Sequence, residues 1–409
     1  MNRDCFCSAN NRMTLGSLFD GIGGFPLAAV RHGVTPLWAS EIEKFPIAVT
    51  KKRFPGMLHV GDITRLKGAE LPPVNIITGG SPCQDLSVAG KRAGLTGARS
   101  GLFMEQIRLI KEMRAADEAR NRSGGTAHAV HPRYMCWENV PGAFSSAGGE
   151  DFRAVLEETL RIIDSAVSVP RPPNGRWESA GAVLGNEFSL AWRVLDARYW
   201  GVPQRRRRIF LVADFGGSSA PEILFEQDRL FGDSAAGENA RQRTAAPASG
   251  GAGNASNGMT PDRMMLSAGF SAGAASTAGG IGWQEECSPT LRGTGSGNMM
   301  PSVMATQQGG AEIGMGVCPA ITAAAGTSGN NQPVLFENHE EDRTTLRKLI
   351  RRLTPLECER LQGYPDGWTD VPGASDSARY KALGNSVAVP CVEFVMRGIA
   401  YFLSMEGGR

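Results

Sequence analysis

Long apolar runs are missing from this 409-residue chain. No stretch approaches the ~18 consecutive apolar residues of a membrane span, and Met1 to Ser17 lacks the charged segment, apolar stretch and cleavage site of a secretory leader. A soluble, cytoplasmic protein without a membrane partner is expected. Paired cysteines are missing as well. The eight cysteines (5, 7, 83, 136, 287, 318, 358, 391) show no C-x-x-C spacing, which argues against both a zinc site and a disulfide framework. No metal is expected, and each thiol has to be judged by its surroundings. Charge of one sign is equally scarce: 43 Lys and Arg against 41 Asp and Glu leave +2, so any nucleic-acid footprint must be local. Aromatics supply only 7%, whereas the 52 glycines exceed the roughly 7% of average usage. At this length one hydrophobic core is too few, and two lobes or a large domain with an insertion are expected.

From Leu15 to about Phe215 short apolar runs alternate with helical patterns. Strands are expected at Thr14–Phe19, Pro36–Ser40, Val74–Thr78, Tyr134–Trp137 and Arg208–Ala213, and helices at Phe25–His32, Leu102–Ala119 and Phe152–Ala166. The alternation implies an α/β fold with a mostly parallel sheet covered on both faces. Composition then changes. Residues 232 to 336 hold 20 of the glycines and few charges, and residues 232–260 read as flexible linker. The segment from Ser288 to Asn298 is echoed by Pro319 to Asn330, a pattern that fits two degenerate β-like turns. Helical periodicity returns after Arg347, ending in an apolar helix from Val387 to Leu403.

Four constellations carry chemistry. Phe19-Asp20-Gly21-Ile22-Gly23-Gly24 lies between a strand and a helix, where glycines permit positive φ and the helix N-terminus offers free N–H groups. Glu41 follows Gly21 by 20 residues at the end of the next strand, the place from which an acidic side chain accepts the ribose hydroxyls of a nucleoside cofactor. Asp62, in Gly61-Asp62-Ile63, suits an adenine amine. Together they favour an adenosyl ligand. Next, Gly79-Gly80-Ser81-Pro82-Cys83 puts a thiol at the carboxyl end of a strand, where open α/β sheets bind substrates, and the Gly-Gly-x-Pro flank is poor core sequence. Glu138, in Trp137-Glu138-Asn139-Val140, has apolar neighbours and is expected to hold a proton it can donate. Finally, Arg205 to Arg208 leads into a strand, so alternation should send Arg206 and Arg208 to one face and Arg205 and Arg207 to the other.

The order of these motifs, continued by LTPLECERLQGYPDGW and YKALGNSVAVP, resembles that of the bacterial and phage DNA (cytosine-5-)-methyltransferases. The resemblance implies a Rossmann-like, S-adenosylmethionine-dependent methyltransferase sheet with a smaller, irregular target-recognition domain. It implies a catalytic and cofactor-binding domain of residues 12–215 plus 375–409 and a recognition domain of residues 216–374. It assigns Cys83 to attack on cytosine C6, Glu138 to ring N3, Arg208 and less directly Arg206 to the base carbonyl, and Asn139 to support of the Glu138 loop. Phe19 would stack on adenine and Asp20 to Gly24 would lie beside the methionine. Glu41 would meet the ribose, Asp62 and Ile63 the adenine, and Pro82, Leu102, Asn385 and Ser386 would close the pocket. Two positions depart from the family: Ser81 replaces an aromatic, and Ile42 stands where an aromatic often covers the other adenine face.

Residues 84 to 99 are placed like the family's mobile loop, with Gln84, Ser87 and Arg99 at DNA, joined by Gln204. Thr290-Leu291, Arg292 and Ile321-Thr322 are the candidate base readers, the last pair preferred. Duplex DNA is the expected partner of a monomer, with a cognate restriction endonuclease as its setting. Two other readings compete: methylation of tRNA cytosine, and a DNA-binding relative that has lost turnover. Amino-directed methylation would need a D/N-P-P-Y/F/W signature, which the chain lacks.

Overall fold

A run of small and apolar residues, Thr14–Leu18, forms the first strand (β1), and a computed structural model describes the chain at residues 13–81, 101–124, 129–225, 268–271, 284–285, 301–302, 334–339 and 347–406. The next strands are Thr35–Ser40 (β2), Leu58–His59 (β3), Ile76–Gly79 (β4), Tyr134–Asn139 (β5), Ala180–Leu184 (β6), Ser189–Asp196 (β7) and Arg207–Asp214 (β8). They make one sheet in the order β3-β2-β1-β4-β5-β8-β7-β6. The first five run parallel, as the alternation of strands and helices predicts. β8 reverses against β5 with Glu138 opposite Phe210, and β6 pairs antiparallel with β7. The sheet is therefore mixed, because the hairpin β6–β7 supplies strands that the sequence pattern does not announce.

Helices Gly24–Arg31 (α1), Lys44–Arg53 (α2), Gly101–Gly124 (α3), Glu150–Leu160 (α4) and Ala220–Phe225 (α5) connect the strands. α3 extends past the expected end at Ala119, and α4 stops at Leu160, short of Ala166. The core is apolar side chains of the sheet meeting α3 and α4: Leu18, Trp38, Ile77, Phe103, Ile107, Trp137 and Phe152 are all nearly inaccessible. Phe152 receives edge contacts from Phe144, Trp177 and Trp192, with ring centroids 4.7, 5.3 and 5.6 Å away. Such pairs add to area burial by about 0.5–1.5 kcal/mol each. Gly16 is dictated by packing, since it pairs with Trp38 and a Cβ there would lie 2.3 Å from the indole.

The chain divides into two compact units. One comprises Met1–Leu195, Arg207–Asp233 and Cys391–Arg409, the other Asp196–Arg206 and Ser234–Pro390. The second contains strands Ala268–Ser271 (β9), Gln284–Glu285 (β10), Pro301–Ser302 (β11), Val334–His339 (β12) and Arg347–Arg352 (β13). β9 lies between β10 and β11, and β12 pairs antiparallel with β13. Helices Pro355–Gln362 (α6) and Asp376–Asn385 (α7) follow, and Val389–Glu406 (α8) crosses into the first unit. Among the described residues no single helix is long and apolar enough to cross a membrane.

The start of α6 shows local sequence fixing local structure. In Thr354-Pro355-Leu356-Glu357 the threonine side chain accepts from the Glu357 N–H at 3.2 Å while the Glu357 carboxylate accepts from the Thr354 N–H at 2.7 Å, with proline in the first turn. This reciprocal cap satisfies two donors that the helix itself cannot. Thr354→Ala is expected to lower unfolding free energy by about 1 kcal/mol. A denaturant midpoint unchanged by the substitution would contradict the cap's contribution.

Candidate active site

At the tip of β1 the backbone turns through Phe19 at φ 52°, Gly21 at φ 57° and Gly23 at φ 80°, the last being the N-cap of α1. Phe19 is a non-glycine residue in the left-handed region, a cost of order 1–3 kcal/mol that the surrounding structure must hold in place. One restraint is Glu41 at the end of the neighbouring strand. Its Oε2 accepts from the Gly21 N–H at 2.8 Å, and its Oε1 accepts from the N–H groups of Ile42 and Glu43 at 2.7 and 2.9 Å. Ile22 and Gly24 are buried beneath the turn. Among the described residues, a Cβ built on Gly21, or on Gly61 at φ 84°, meets nothing within 4 Å, and Ile42 is 70% exposed. The described residues therefore leave open space over the tips of β1 and β2, next to a carboxylate with hydroxyl-binding chemistry. Asp62 caps a short turn, accepting from the Thr64 N–H and hydroxyl at 2.9 Å each, and these bonds hold its carboxyl below the usual range. Ile63 is buried in the core, and Leu102, in the first turn of α3, packs against it.

Asp20 is unusual within this turn. It is 5% exposed, its Oδ1 accepts the Ser17 hydroxyl at 2.6 Å, and its buried Oδ2 has no partner among the described residues. Burial, reinforced by the charge of Glu41 and opposed by the Ser17 bond, pushes its pKa up to about 7. A carboxyl in that state can be neutral or anionic near physiological pH according to what stands beside it.

The second cluster lies at the ends of β4, β5 and β8. Glu138 Oε1 stands 3.0 Å from Arg208 Nε, and Arg208 Nη1 donates to the Arg207 carbonyl at 2.8 Å. Gly80 passes close to the carboxylate, since a Cβ there would be 3.2 Å from Glu138 Oε2. Asn139 donates from Nδ2 to the Ser81 carbonyl at 3.0 Å and accepts the Val140 N–H at 2.8 Å. The Ser81 hydroxyl accepts the Trp137 indole N–H at 3.1 Å. Ser81, the departure from the family pattern, thus binds the end of β4 to β5 from both sides of Glu138 in sequence. That role was invisible in the sequence, because its partners are 56 and 58 residues away.

Exposure alternates along the arginine run: Arg205 and Arg207 are exposed, whereas Arg206, just before the strand, is buried and Arg208 is partly so. Arg206, Gln204, Asn385 and Ser386 belong to the second unit. The Arg206 guanidinium donates to the carbonyls of Gly384 and Ser386. Gln204 is fully buried, and among the described residues neither of its side-chain amide atoms has a partner. Asn385 ends α7, and Ser386 is its C-cap. Pro82, Cys83, Gln84, Ser87, Arg99, Thr290, Leu291, Arg292, Ile321 and Thr322 lie outside the described residues. The cysteines that are described, Cys136, Cys358 and Cys391, are all buried. Burial and the neighbouring Glu138 push the Cys136 thiol far above the ordinary thiol range, which makes it an inert core group.

Comparison with known proteins bears out the family resemblance. The family model for the C-5 cytosine-specific DNA methylase matches residues 13–166 and 182–400. The type II methyltransferase M.Bsp6I of Bacillus sp. (strain RFL6) is 25% identical, over 95% of this chain and 98% of that protein. A protein of Escherichia phage P1 named DNA N-6-adenine-methyltransferase is 28% identical, over 93% of this chain but 60% of its own length. Among solved structures, the S. pombe Dnmt2 methyltransferase superposes with a TM-score of 0.55 at 16% identity, covering 96% of this chain and 98% of that one, a likeness of fold. A glycine turn with its acidic partner, a strand-end carboxylate paired to arginine and a family match along both halves converge: the chain belongs to the C-5 cytosine-specific DNA methylase family.

Proposed function

We propose that the chain transfers a methyl group from S-adenosylmethionine to C5 of a flipped-out cytosine in a specific duplex DNA sequence, through a covalent bond between Cys83 and C6. The observation that carries this reading is the Glu138–Arg208 pair, 3.0 Å apart beside Gly80, which precedes Cys83 by three residues. Burial of Cys136, Cys358 and Cys391 supports giving the nucleophile's part to Cys83. The P1 relative's name refers to adenine, but this chain has no D/N-P-P-Y/F/W segment of the amino-directed kind.

S-adenosylmethionine supplies an electrophilic methyl on a sulfonium that leaves as a neutral thioether. Phe19, Asp20 to Gly24, Glu41, Ile42, Asp62, Ile63, Pro82, Leu102, Asn385 and Ser386 are assigned to hold it. The open space over Gly21, the exposed Ile42 and the Glu41 carboxylate fit such a group. No metal is assigned. The Cys83 thiolate forms the S–C6 bond while Glu138 delivers a proton to N3, so the ring's electrons reach C5 rather than building charge on nitrogen. Arg208 holds Glu138 and the base carbonyl. After C5 takes the methyl, its proton passes to solvent and the C6–S bond breaks, restoring the thiolate, while N3 returns its proton to Glu138. A thiol cannot approach C6 above the ring while the base is stacked, so extrusion is required at a cost of roughly a few kcal/mol. Gln84, Ser87, Arg99 and Gln204 are assigned to DNA, and Thr290, Leu291, Arg292, Ile321 and Thr322 to base reading.

Duplex DNA of diverse sequence containing 5-fluorocytosine tests the route. Fluorine cannot leave as a proton does, so with S-adenosylmethionine an adduct stable to denaturing electrophoresis should accumulate, and peptide mapping should place it on Cys83. Methyl transfer to DNA without any adduct would sink the covalent route. Trapping on tRNA but not on duplex DNA would sink the substrate assignment.

A further inference from the structure

Arg206 is 2% exposed, and its guanidinium is directed at backbone within its own unit. Nη2 donates to the Gly384 carbonyl at 3.1 Å and to the Ser386 carbonyl. These carbonyls flank Asn385 at the end of α7, where the last C=O groups of a helix have no donor within the helix. The same turn is bound at two further points: Tyr364 Oη pairs with Ser386 Oγ, and Gln362 Nε2 donates to the Leu383 carbonyl at 3.1 Å. Arg206 is itself fixed by its main chain, whose N–H donates to Asp196 Oδ1 at 3.2 Å and whose carbonyl accepts from the Ala197 N–H at 3.0 Å. Both bonds come from one nitrogen, whose two N–H groups are held in fixed directions by the guanidinium plane, an orientation that a freely rotating lysine ammonium does not hold.

We infer that Arg206 is a positioning residue for the cofactor: its guanidinium holds the Asn385–Ser386 turn in the shape that takes up S-adenosylmethionine. This rests on the assignment of Asn385 and Ser386 to the cofactor made above. It separates two arginines that the motif presents as a pair, giving Arg208 to Glu138 and the base and Arg206 to the turn.

The test uses the full chain, with Arg206→Lys and the milder Tyr364→Phe, in steady-state methylation of DNA and in equilibrium dialysis of S-adenosylmethionine without DNA. Arg206→Lys should raise both KM and Kd for S-adenosylmethionine about tenfold or more while kcat at saturating cofactor stays within about threefold. Tyr364→Phe should shift the same two constants in the same direction by about two- to fivefold, again without loss of kcat. A merely structural role would lower the active fraction without splitting KM from kcat. Unchanged cofactor affinity in both variants, or a kcat lost at saturating cofactor with KM intact, overturns the inference and returns Arg206 to the base. Wild-type protein that binds no S-adenosylmethionine would instead remove the cofactor reading on which the inference stands.

Discussion

Glu138→Gln is expected to lower single-turnover methyl transfer by about 10²- to 10⁴-fold while leaving DNA and cofactor affinity within a few-fold. The substitution keeps length, planarity and an oxygen that Arg208 can reach across its present 3.0 Å. It also keeps the room left by Gly80, so nothing in the packing changes. What disappears is the transferable proton. A glutamine amide can hydrogen-bond to ring N3 but cannot protonate it, and thiolate addition at C6 then has to place negative charge on the ring. The loss should therefore fall on the chemical step, and slower trapping on 5-fluorocytosine DNA should accompany it. A variant keeping more than about a tenth of the wild-type rate would show that Glu138 acts by position or hydrogen bonding alone. Arg208 sharpens the expectation, because a cation on Oε1 orients the carboxyl group and leaves Oε2 as the atom nearer the passing Gly80 backbone.

Sequence alone made much of this site legible, for a physical reason. Strand ends in an open α/β sheet are where ligands bind, and the apolar runs locating β1, β2, β4, β5 and β8 also locate the residues just beyond them. Gly21, Glu41, Glu138 and Arg208 could be placed at strand ends by that logic, and the strands do end beside them. Side-chain partners distant in sequence could not be read in this way. Ser81 looks like a weakened copy of a family aromatic until Trp137 and Asn139 are seen to bind its hydroxyl and carbonyl. Gly16 looks like one more small residue until Trp38 is found against it. The reversal at β8 escaped the pattern for a related reason: a buried strand reads as the same apolar run in either direction. Nor could the state of Asp20 be inferred, since it depends on near-complete burial and on a neighbour 21 positions away.

That state leads to the second large effect. Asp20→Asn is expected to flatten the fall in stability that the wild-type protein shows between about pH 4 and pH 7. The carboxyl has a pKa of about 7 in the folded chain against an ordinary 3.8, with desolvation as the main cause and Glu41 adding its charge. Within that window the folded chain retains a proton that the unfolded chain has released, so the slope of unfolding free energy with pH is negative. The stabilisation is complete below pH 3.8 and is lost as pH rises through the window, a loss that reaches about 4 kcal/mol by pH 8. Asparagine still accepts the Ser17 hydroxyl and, like the protonated acid, leaves one buried polar group unpaired, so the two proteins should be alike at low pH. Above pH 7 the variant should be the more stable. Urea midpoints at pH 5 and pH 8 for both proteins decide it, and parallel pH profiles would show that Asp20 does not titrate in this range. The same measurement bears on the cofactor, because a cationic ligand beside Asp20 favours the ionised form. S-adenosylmethionine should then stabilise the wild type at pH 8 more than the variant, recovering on binding what the empty turn gives up by holding a charge away from water.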